Sequence, residues 1–234
     1  HPKNIIFLTA DANGVIPPVS RLNSAQAMLW FLMGYTSKLA GTETGIIDPV
    51  STFSRFFGQP FMPCLPHIYA DLLGRKMQEH KTEVYLINTG WSGGPYGVGS
   101  RMDIMMTRAM VDAALDGKLR DVEFRKDPMF HLDVPVSCPG VPSEVLMPEN
   151  TWPDKAEYHK RALKLSWEFS DHFNKAYGRK NIDPAVQNGT VTVDVALTGN
   201  DEVPRLLDYL YRRQLFVDRR RGEPTLYHYH ALFR

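Results

Sequence analysis

The amino-acid sequence predicts a mixed α/β (α+β) fold with a small strand–helix–strand–strand appendage, and three observations support this prediction. Two apolar runs of strand length, Asn4 to Thr9 and Val84 to Ile87, are each followed by a polar or glycine-rich turn. Between and after them, apolar residues recur at three- and four-residue spacings, which is typical of helices packed on a sheet. Beyond residue 190, short β-branched alternations flank a leucine-rich helical segment.

The composition is that of a globular protein without a global charge signal. The 234 residues are 43% hydrophobic, and 27 basic and 26 acidic side chains give a net charge of +1. This balance predicts no general attraction to nucleic acid or to an acidic membrane. No apolar run long enough to span a membrane and no signal peptide is found, and the two cysteines fit neither a disulfide framework nor a metal motif. We therefore expect a reducing compartment, cytoplasmic or mitochondrial rather than secreted, and a natural N-terminus before His1.

The first strand leads into a rigid turn and then a buried helix. Pro17 and Pro18 turn the chain shortly before Arg21. Ser24 is predicted to cap a helix that continues to Lys38, because apolar residues occupy nearly every face, and the glycines at 41 and 45 are expected to end it. The loop-rich stretch that follows contains aromatic residues that we expect in the core rather than at a ligand: Phe53, Phe56, Phe57 and Phe61.

Two further helices and two short strands are predicted in the rest of the body. Pro66 begins a helix whose apolar set is Ile68, Leu72, Leu73 and Met77. Short alternations at 122–124 and 130–134 indicate strands. The clearest amphipathic pattern runs from Asp154 to Tyr177, with a stripe of Tyr158, Ala162, Leu165, Phe169 and Phe173. We interpret this stripe as core packing rather than as a cofactor site, and we place a linker at 179–184.

A glycine-rich loop after the strand at 84–87 is the strongest functional signal. Its glycines are Gly90, Gly93, Gly94, Gly97 and Gly99. A helix is predicted beyond Thr107, with Gly117 as its stop. Backbone amides in such a loop can approach a flat or anionic ligand, while Trp91, Tyr96 and Arg101 supply aromatic faces and a cation. The spacing matches neither G-x-G-x-x-G nor a P-loop, so the pattern alone does not separate a ligand loop from an ordinary surface loop.

Several collinear blocks resemble ATP-dependent phosphoenolpyruvate carboxykinase. Asn88-Thr-Gly-Trp91, the glycines after it and residues 101–108 are similar to the adenine-binding loop of that family. Residues 4–22, which end in Pro-Pro-Val-Ser-Arg-Leu, are similar to the segment that carries a catalytic arginine. Shorter blocks at 26–28, 34–43 and 57–61 agree in order. The resemblance covers about residues 2–180 and corresponds to the C-terminal portion of the enzyme.

The resemblance implies a carboxykinase-like nucleotide-binding region at 1–180 and a role for six of its residues. Arg21 corresponds to the catalytic arginine, whose planar charged fork can contact the transferred phosphoryl group. The residues that correspond to the adenine-contacting set are Thr89, Gly90, Arg101, Met102 and Thr107. The local sequence alone fits a surface ion pair or a helix cap at Arg21 as well. Ser100 stands where the family commonly has lysine, and Met105 and Met106 replace more polar residues, so we expect weakened nucleotide binding.

The same resemblance implies that part of the chemistry lies outside this chain. The family converts oxaloacetate and ATP into phosphoenolpyruvate, carbon dioxide and ADP, which requires a P-loop, a magnesium site and a second divalent site, commonly manganese. The sequence contains no G-x-x-x-x-G-K-[ST] and no cluster of metal ligands, so we predict no metal site within it. We expect the chain to contact the adenine part of ATP and to reach the phosphates only through Arg21. We expect Mg²⁺ and Mn²⁺ to be held elsewhere in the complete enzyme.

Two functional hypotheses follow. In the first, the chain is the C-terminal portion of a carboxykinase, inactive alone, whose site is completed by a partner polypeptide that carries the P-loop. In the second, it is an inert, carboxykinase-derived accessory subunit of a larger assembly, for example a mitochondrial one, and it docks through its tail.

The tail, residues 190–234, is a basic appendage that we do not recognise. The pattern predicts a strand at 190–197, a helix at 201–216 and two strands at 217–219 and 225–233. Its basic cluster consists of Arg212, Arg213, Arg219, Arg220 and Arg221. A winged-helix-like contact with nucleic acid is one interpretation. We favour closure of the core or docking onto an acidic protein surface, because arginine is common at protein interfaces.

Overall fold

The computed structural model describes residues 1–38 and 48–177, together with the backbone of three strands between 190 and 234. The strands of the body, in chain order, are β1 (Asn4–Thr9), β2 (Val19–Leu22), β3 (Tyr35–Lys38), β4 (Val50–Phe53), β5 (Glu83–Asn88), β6 (Trp91–Ser92), β7 (Ser100–Arg101), β8 (Phe124–Lys126) and β9 (Asp133–Pro135). The helices are α1 (Ser24–Met33), α2 (Pro66–His80), α3 (Ile104–Leu115), α4 (Ser143–Leu146), α5 (Pro148–Thr151) and α6 (Lys155–Tyr177).

A five-stranded mixed sheet in the order β1-β5-β2-β9-β8 is the centre of the body, as the predicted α/β class requires. β1 and β5 are parallel, with Asn4 opposite Glu83, whereas β2 runs antiparallel to β5, with Arg21 opposite Tyr85. Side chains alternate across the sheet, so the two faces bury different cores. Phe7, Leu22 and Leu86 pack with α1, α2 and α6, whereas Val19, Tyr85 and Ile87 pack with α3 and the 138–147 segment.

The first helix ends earlier than the sequence predicts. Asn23, rather than Ser24, is its cap, and it forms a reciprocal capping box with Gln26. The predicted continuation to Lys38 is wrong, because Gly34 adopts a left-handed conformation (φ 53°) that terminates the helix. Residues 35–38 instead form β3, which pairs antiparallel with β4. The predicted stop at the glycines of 41–45 lies outside the described residues.

The apolar residues of the region around α2 are distributed differently from the prediction. Phe53, Phe56 and Phe57 join the core, as expected, but Phe61 is 84% exposed. In α2 the buried residues are Pro66, Ala70, Gly74 and Met77, whereas Ile68 and Leu72 face outward. Met28 lies against Gly74, so a small residue at the helix crossing, rather than the leucine stripe, sets the packing of α1 on α2.

The segment that includes β8 and β9 forms around a buried carboxylate. Asp127 is fully buried, and its Oδ2 accepts hydrogen bonds from the backbone N–H groups of Met129 and Phe130. These bonds bend residues 127–132 into a turn, so the strands lie at 124–126 and 133–135 rather than at the predicted 122–124 and 130–134. Burial raises the pKa of Asp127 to about 7; the two N–H groups oppose this shift and nearby Glu149 adds to it.

The long helix α6 agrees closely with its prediction. It spans Lys155 to Tyr177, and all five residues of the predicted stripe are buried. Phe169 contacts the rings of Trp30, Tyr35 and Phe53, which joins α6 to α1 and to the β3–β4 pair. The stripe is therefore core packing. None of the described helices is long and apolar enough to cross a bilayer.

Three strands of the tail are described at the level of the backbone. They are β10 (Thr192–Asp194), β11 (Val217–Arg220) and β12 (Leu226–Tyr229), which form an antiparallel sheet in the order β10-β12-β11. The predicted strands are thereby confirmed, with shorter bounds at the first and the last. The predicted helix at 201–216, the linker at 179–184 and residues Arg212, Arg213 and Arg221 lie outside the described residues.

Candidate functional site

The glycine-rich loop forms a short hairpin at the carboxyl end of β5. Strands β6 and β7 pair antiparallel, with Trp91 opposite Arg101. The base of the hairpin is closed by a hydrogen bond of 2.8 Å from the Met102 amide to the carbonyl of Gly90. Gly93, Gly94 and Gly97 all have positive φ angles, which explains why so many glycines occupy this loop. The prediction of a strand, loop and helix is confirmed, although the helix α3 begins at Ile104, before Thr107, with Asp103 as its cap.

The hairpin is held against the turn that precedes Arg21. Backbone amides of Trp91 and Tyr96 donate to the carbonyls of Asp11 and Ala12, each at 2.9 Å. Gly90 lies so close to this turn that a Cβ atom there would come within 2.1 Å of the Asp11 carbonyl oxygen. The two motifs that the sequence suggested are thus parts of one structural unit.

Asn88 joins these two segments through a fully buried side chain. Its Oδ1 accepts hydrogen bonds from the amides of Asp11 (3.0 Å) and Gly90 (2.9 Å), and its Nδ2 donates to the carbonyl of Ile16 (2.8 Å). Sequence reasoning included Asn88 in the loop motif but gave it no role. Its position as the last residue of a strand, directly before the glycine-rich loop, was the available signal.

Asp11 completes this connection within the turn itself. The carboxylate is fully buried and accepts bonds from the amides of Asn13, Val15 and Ile16, and from the hydroxyl of Tyr35 at 2.7 Å. Because charge-assisted bonds are among the stronger ones, this carboxylate fixes the turn that leads into β2. Burial, followed by the negative charge of Asp11, raises the pKa of Tyr35, so Tyr35 remains a hydrogen-bond donor at neutral pH.

The five predicted adenine-contacting residues lie around the base of the hairpin. Thr89 donates from its amide (2.8 Å) and its hydroxyl (3.1 Å) to the carbonyl of Thr9, and Gly90 and Met102 are buried. Arg101 is exposed; its Nε donates to the Thr89 carbonyl at 3.3 Å, and its guanidinium lies 5.4 Å from the centre of the Trp91 ring. Thr107 is buried, and its hydroxyl bonds to the Asp103 carbonyl within the first turn of α3.

The hairpin presents groups that suit a flat heteroaromatic ligand. Trp91 and Tyr96 meet edge to face with ring centres 5.5 Å apart, and the Arg101 cation lies beside the indole. The backbone N–H groups of Thr89 and Gly90 already donate hydrogen bonds within the protein. A flat ligand at these two residues would therefore be held by the free lone pairs of oxygen atoms and by van der Waals packing. The described residues include no group of three or more His, Cys, Asp or Glu side chains that converge as metal ligands.

Arg21 lies on β2, and its partner residue on β5 is four residues before the start of the loop. Its Cα is paired with that of Tyr85, and the loop begins at Thr89. The guanidinium stacks on Phe124 of β8, with its carbon 3.8 Å from the ring centre. Stacking uses the flat face of the group and leaves its N–H donors at the rim, and no hydrogen bond joins Arg21 to another described side chain. Sequence reasoning did not anticipate the contact with Phe124, because the two residues are 103 positions apart.

The fold is that of a mixed α/β protein in which a glycine-rich hairpin at the carboxyl end of an interior strand lies beside a rigid turn and a strand that carries an arginine. The family model described as phosphoenolpyruvate carboxykinase, in its ATP-dependent form, matches residues 1–144. This chain belongs to the ATP-dependent phosphoenolpyruvate carboxykinase family.

Individual carboxykinases agree with the family match. The chain is 59% identical over 175 residues to the phosphoenolpyruvate carboxykinase (ATP) of Caldanaerobacter subterraneus, an alignment that covers 75% of this chain and 34% of the relative. It is 55% identical over 175 residues to the enzyme of Bacillus subtilis (75% and 33%) and 53% identical over 190 residues to that of Alkaliphilus oremlandii (80% and 36%). The chain spans about a third of the length of these relatives.

The tail matches a different family. Residues 190–234 are similar to the model described as the MalT winged helix domain. The antiparallel order β10-β12-β11 suits the strand–helix–hairpin pattern that the sequence predicted.

Proposed function

We propose that this chain supplies the adenine loop and the phosphate-contacting arginine of an ATP-dependent phosphoenolpyruvate carboxykinase, and that it has no carboxykinase activity alone. The observation that supports this proposal most is the connection of the adenine loop to the arginine-bearing strand through Asn88 and Asp11. A unit fixed in this way holds two contact points for one ligand at a constant separation.

The separation between these two points suits a nucleotide. Arg21 lies opposite Tyr85 of β5, and the loop begins four residues later at Thr89. At the rise of an extended strand, the distance along the chain from Tyr85 to Thr89 is about 13 Å. An extended nucleoside triphosphate is long enough to place its base on the hairpin and its terminal phosphate near Arg21. The base would rest beside Trp91 and Arg101, which recognise a flat ring without binding the phosphates.

Arg21 would act on the charge that develops during phosphoryl transfer. Its stack on Phe124 orients the guanidinium while the N–H donors remain available, and a planar fork can hold two phosphate oxygens at once. In the complete enzyme the divalent metals would neutralise phosphate charge and polarise the substrate. The described residues form no ligand set for them, so we place their ligands on the complementary portion, together with the P-loop.

The test is reconstitution. The part of the Caldanaerobacter relative that the alignment leaves uncovered would be produced as a separate polypeptide, co-expressed with this chain, and assayed for oxaloacetate-dependent formation of phosphoenolpyruvate with ATP, Mg²⁺ and Mn²⁺. We expect activity from the pair and none from either polypeptide alone. Activity of the purified chain alone, or an inactive but well-associated pair, would overturn the proposal.

A second candidate function rests on the winged-helix match at 190–234. Here the chain is an accessory subunit in which the carboxykinase-like body is inert and the tail docks it onto an acidic protein surface. The sequence of the tail contains seven arginines between 203 and 234, against Asp208, Asp218 and Glu223. Such a local excess of positive charge suits an acidic partner, and nucleic acid is the competing ligand.

Removal of the tail separates the two functions. Deletion of 190–234 should leave the reconstituted carboxykinase activity unchanged if the first proposal holds, because no residue assigned to the site lies in the tail. Under the second, the deletion abolishes co-purification with a native partner that the full chain retains. Salt-sensitive binding of duplex DNA by the full chain, lost on deletion, would favour nucleic acid over protein as the ligand of the tail.

A further inference from the structure

The glycine-rich hairpin is held at its base, and its loop requires further support. At the base, Asn88 accepts a hydrogen bond from the Gly90 amide, and the Met102 amide donates to the Gly90 carbonyl. Beyond the base lies the loop 93–99, in which four of the seven residues are glycine. Glycine loses more conformational freedom on folding than any other residue, so contacts from outside the loop are required to hold it in one conformation.

Thr151, the last residue of α5, supplies one such contact through its hydroxyl. The oxygen accepts hydrogen bonds from the Gly93 amide at 3.0 Å and from the Ser92 hydroxyl at 3.3 Å. The same hydroxyl donates to the Pro148 carbonyl at 2.7 Å. A hydroxyl has one donor hydrogen and two acceptor lone pairs, so Thr151 uses its full hydrogen-bonding capacity. Its two accepted bonds fix the residues that directly follow Trp91.

Trp152, the next residue, contacts the turn on which the hairpin rests. Its indole N–H donates to the Gly14 carbonyl at 2.8 Å. The side chain is buried, and its ring meets that of Tyr158 on α6 edge to face, with ring centres 5.8 Å apart. Gly14 touches the loop so closely that a Cβ atom on it would come within 2.2 Å of the Gly94 carbonyl oxygen. Thr151 and Trp152 therefore bind the two sides of the contact between the loop and the turn.

We infer that Thr151 and Trp152 are positioning residues for the adenine base, a role that rests on the proposed function. They act through the hairpin, because the hydrogen-bonding capacity of Thr151 is already used and the Trp152 side chain is buried. By fixing the backbone at 92–93 and the turn beneath it, they hold the rings of Trp91 and Tyr96 in place before the base arrives. A preorganised loop binds its ligand more tightly, since binding does not have to order the loop.

The contacts at the loop and those at the base should affect different properties. Asn88 is fully buried and bonds to backbone groups that join β5 to the turn, so its loss lowers the stability of the whole body. The bonds from Ser92 and Gly93 to Thr151 are only partly buried. Loss of these bonds should therefore release the loop locally, with a smaller effect on global unfolding.

The test compares Thr151→Val, which removes the hydroxyl at nearly constant volume, with Thr151→Ser, which keeps it. Adenosine binding to the full chain would be measured by NMR titration, which is suited to weak affinities. We expect Thr151→Val to weaken adenosine binding by about tenfold, the scale of one or two lost hydrogen bonds, and Thr151→Ser to stay within about twofold of the unmodified chain. The matched control is Thr82→Val, because the Thr82 hydroxyl donates to the Pro2 carbonyl at 3.1 Å, at the opposite end of β5 from the hairpin. Its adenosine affinity should equal that of the unmodified chain.

A second variant and a measurement without ligand test the contact made by Trp152. Trp152→Phe keeps an aromatic ring beside Tyr158 and loses the N–H donor to Gly14. In both Thr151→Val and Trp152→Phe, hydrogen exchange of the Trp91 and Tyr96 amides, which bond to the turn, should accelerate more than exchange of the amides of β5. Residues with a purely structural role would accelerate exchange equally at both places and leave the adenosine affinity unchanged.

Three outcomes would overturn the inference. Thr151→Val binds adenosine as tightly as the unmodified chain, the Thr82→Val control loses as much affinity as Thr151→Val, or exchange accelerates equally in the hairpin and in β5. Failure of the proposed function is a different result. An unmodified chain that binds no adenosine refutes the proposed function and the positioning role with it, whereas adenosine binding that is equal in the unmodified chain and in Thr151→Val refutes the positioning role alone.

Discussion

The two edges of the five-stranded sheet differ in length and in chemistry. β8 has three residues, two of which are the exposed Arg125 and Lys126, and Lys126 pairs with Asp133 at 2.7 Å. β1 has six residues with no charge among them, and Leu8 is largely exposed. Short, charged strands are a common means of preventing further strand pairing, whereas a long apolar edge invites it. The comparison indicates that the β8 edge disfavours pairing with a further strand, whereas the composition of the β1 edge does not.

The predicted site residues lie on the strands between these edges and on the loop that follows β5. Arg21 stacks on Phe124 of β8, and the hairpin is tied to β5 by Asn88. The structure therefore connects the predicted adenine-contacting hairpin to the strand that carries Arg21. The following predictions test each side of this contrast, beginning with the largest expected effect.

Replacing Asp127 by Asn should remove a pH dependence of the free energy of unfolding. Asp127 follows directly after β8, the charged edge strand. Burial raises the pKa of Asp127 in the folded protein to about 7, above its ordinary value of 3.8. The folded state therefore keeps a proton that the unfolded chain releases, so the contribution to the free energy of unfolding is fully present below pH 3.8 and is lost as the pH rises through 7. The difference between the variant and the original protein should grow over this window by at most about 4 kcal/mol, measured by urea unfolding at several pH values.

The control for this prediction is Asp133→Asn, because Asp133 is a nearby carboxylate that is partly exposed and paired with Lys126. The Asp133→Asn variant should keep the pH dependence of the free energy of unfolding that we attribute to Asp127. Parallel stability curves for Asp127→Asn and the original protein between pH 4 and pH 7 would contradict the assignment.

Asn88→Ala should destabilise the isolated chain by about 3 kcal/mol or more. The change leaves the amides of Asp11 and Gly90 and the carbonyl of Ile16 buried without their partner, at about 1–3 kcal/mol for each unsatisfied group. Ser92→Ala is the control within the same loop, since its hydroxyl makes one contact, 3.3 Å from the Thr151 hydroxyl. If chemical unfolding finds equal losses for the two variants, Asn88 does not join the segments as described.

Arg21→Ala should reduce turnover of the reconstituted enzyme by about a hundredfold or more, as does the loss of other groups that stabilise transition-state charge. Arg21→Lys should rescue little of this, because a point charge cannot make the bidentate contact. The control is Arg125→Ala, an exposed arginine on β8 itself. Unaltered turnover of the Arg21→Ala enzyme, with association intact, would assign Arg21 a purely structural role.

The sequence predicted those features that depend on local pattern or on a contiguous motif. β1, α6 and the hairpin loop are examples, since their apolar spacing and glycines lie within short stretches. It did not predict the early end of α1, because the left-handed Gly34 was hidden inside an apolar pattern. The outward position of Leu72 was missed as well, because the packing of α1 on α2 is set by Gly74 and Met28.

The site was predicted as separate motifs rather than as a connected unit. The bond from Asp11 to Asn88 spans 77 positions and the contact of Arg21 with Phe124 spans 103, so neither has a local signature. The exposure of Leu8 was not predicted either. Leu8 has the pattern of an ordinary core residue, and only the order of the strands reveals that it lies at an edge.

The most direct measurement of the central claim compares the binding of adenosine and ATP to the isolated chain by calorimetry, in the presence of Mg²⁺. The claim is that the base half of the nucleotide site lies in this chain and that the metals and most phosphate contacts lie in the complementary portion. We predict weak binding of both ligands, with dissociation constants that agree within about threefold, or about 0.6 kcal/mol. ATP that binds about a hundredfold more tightly than adenosine would contradict the account, because this chain would then contain a phosphate site of its own.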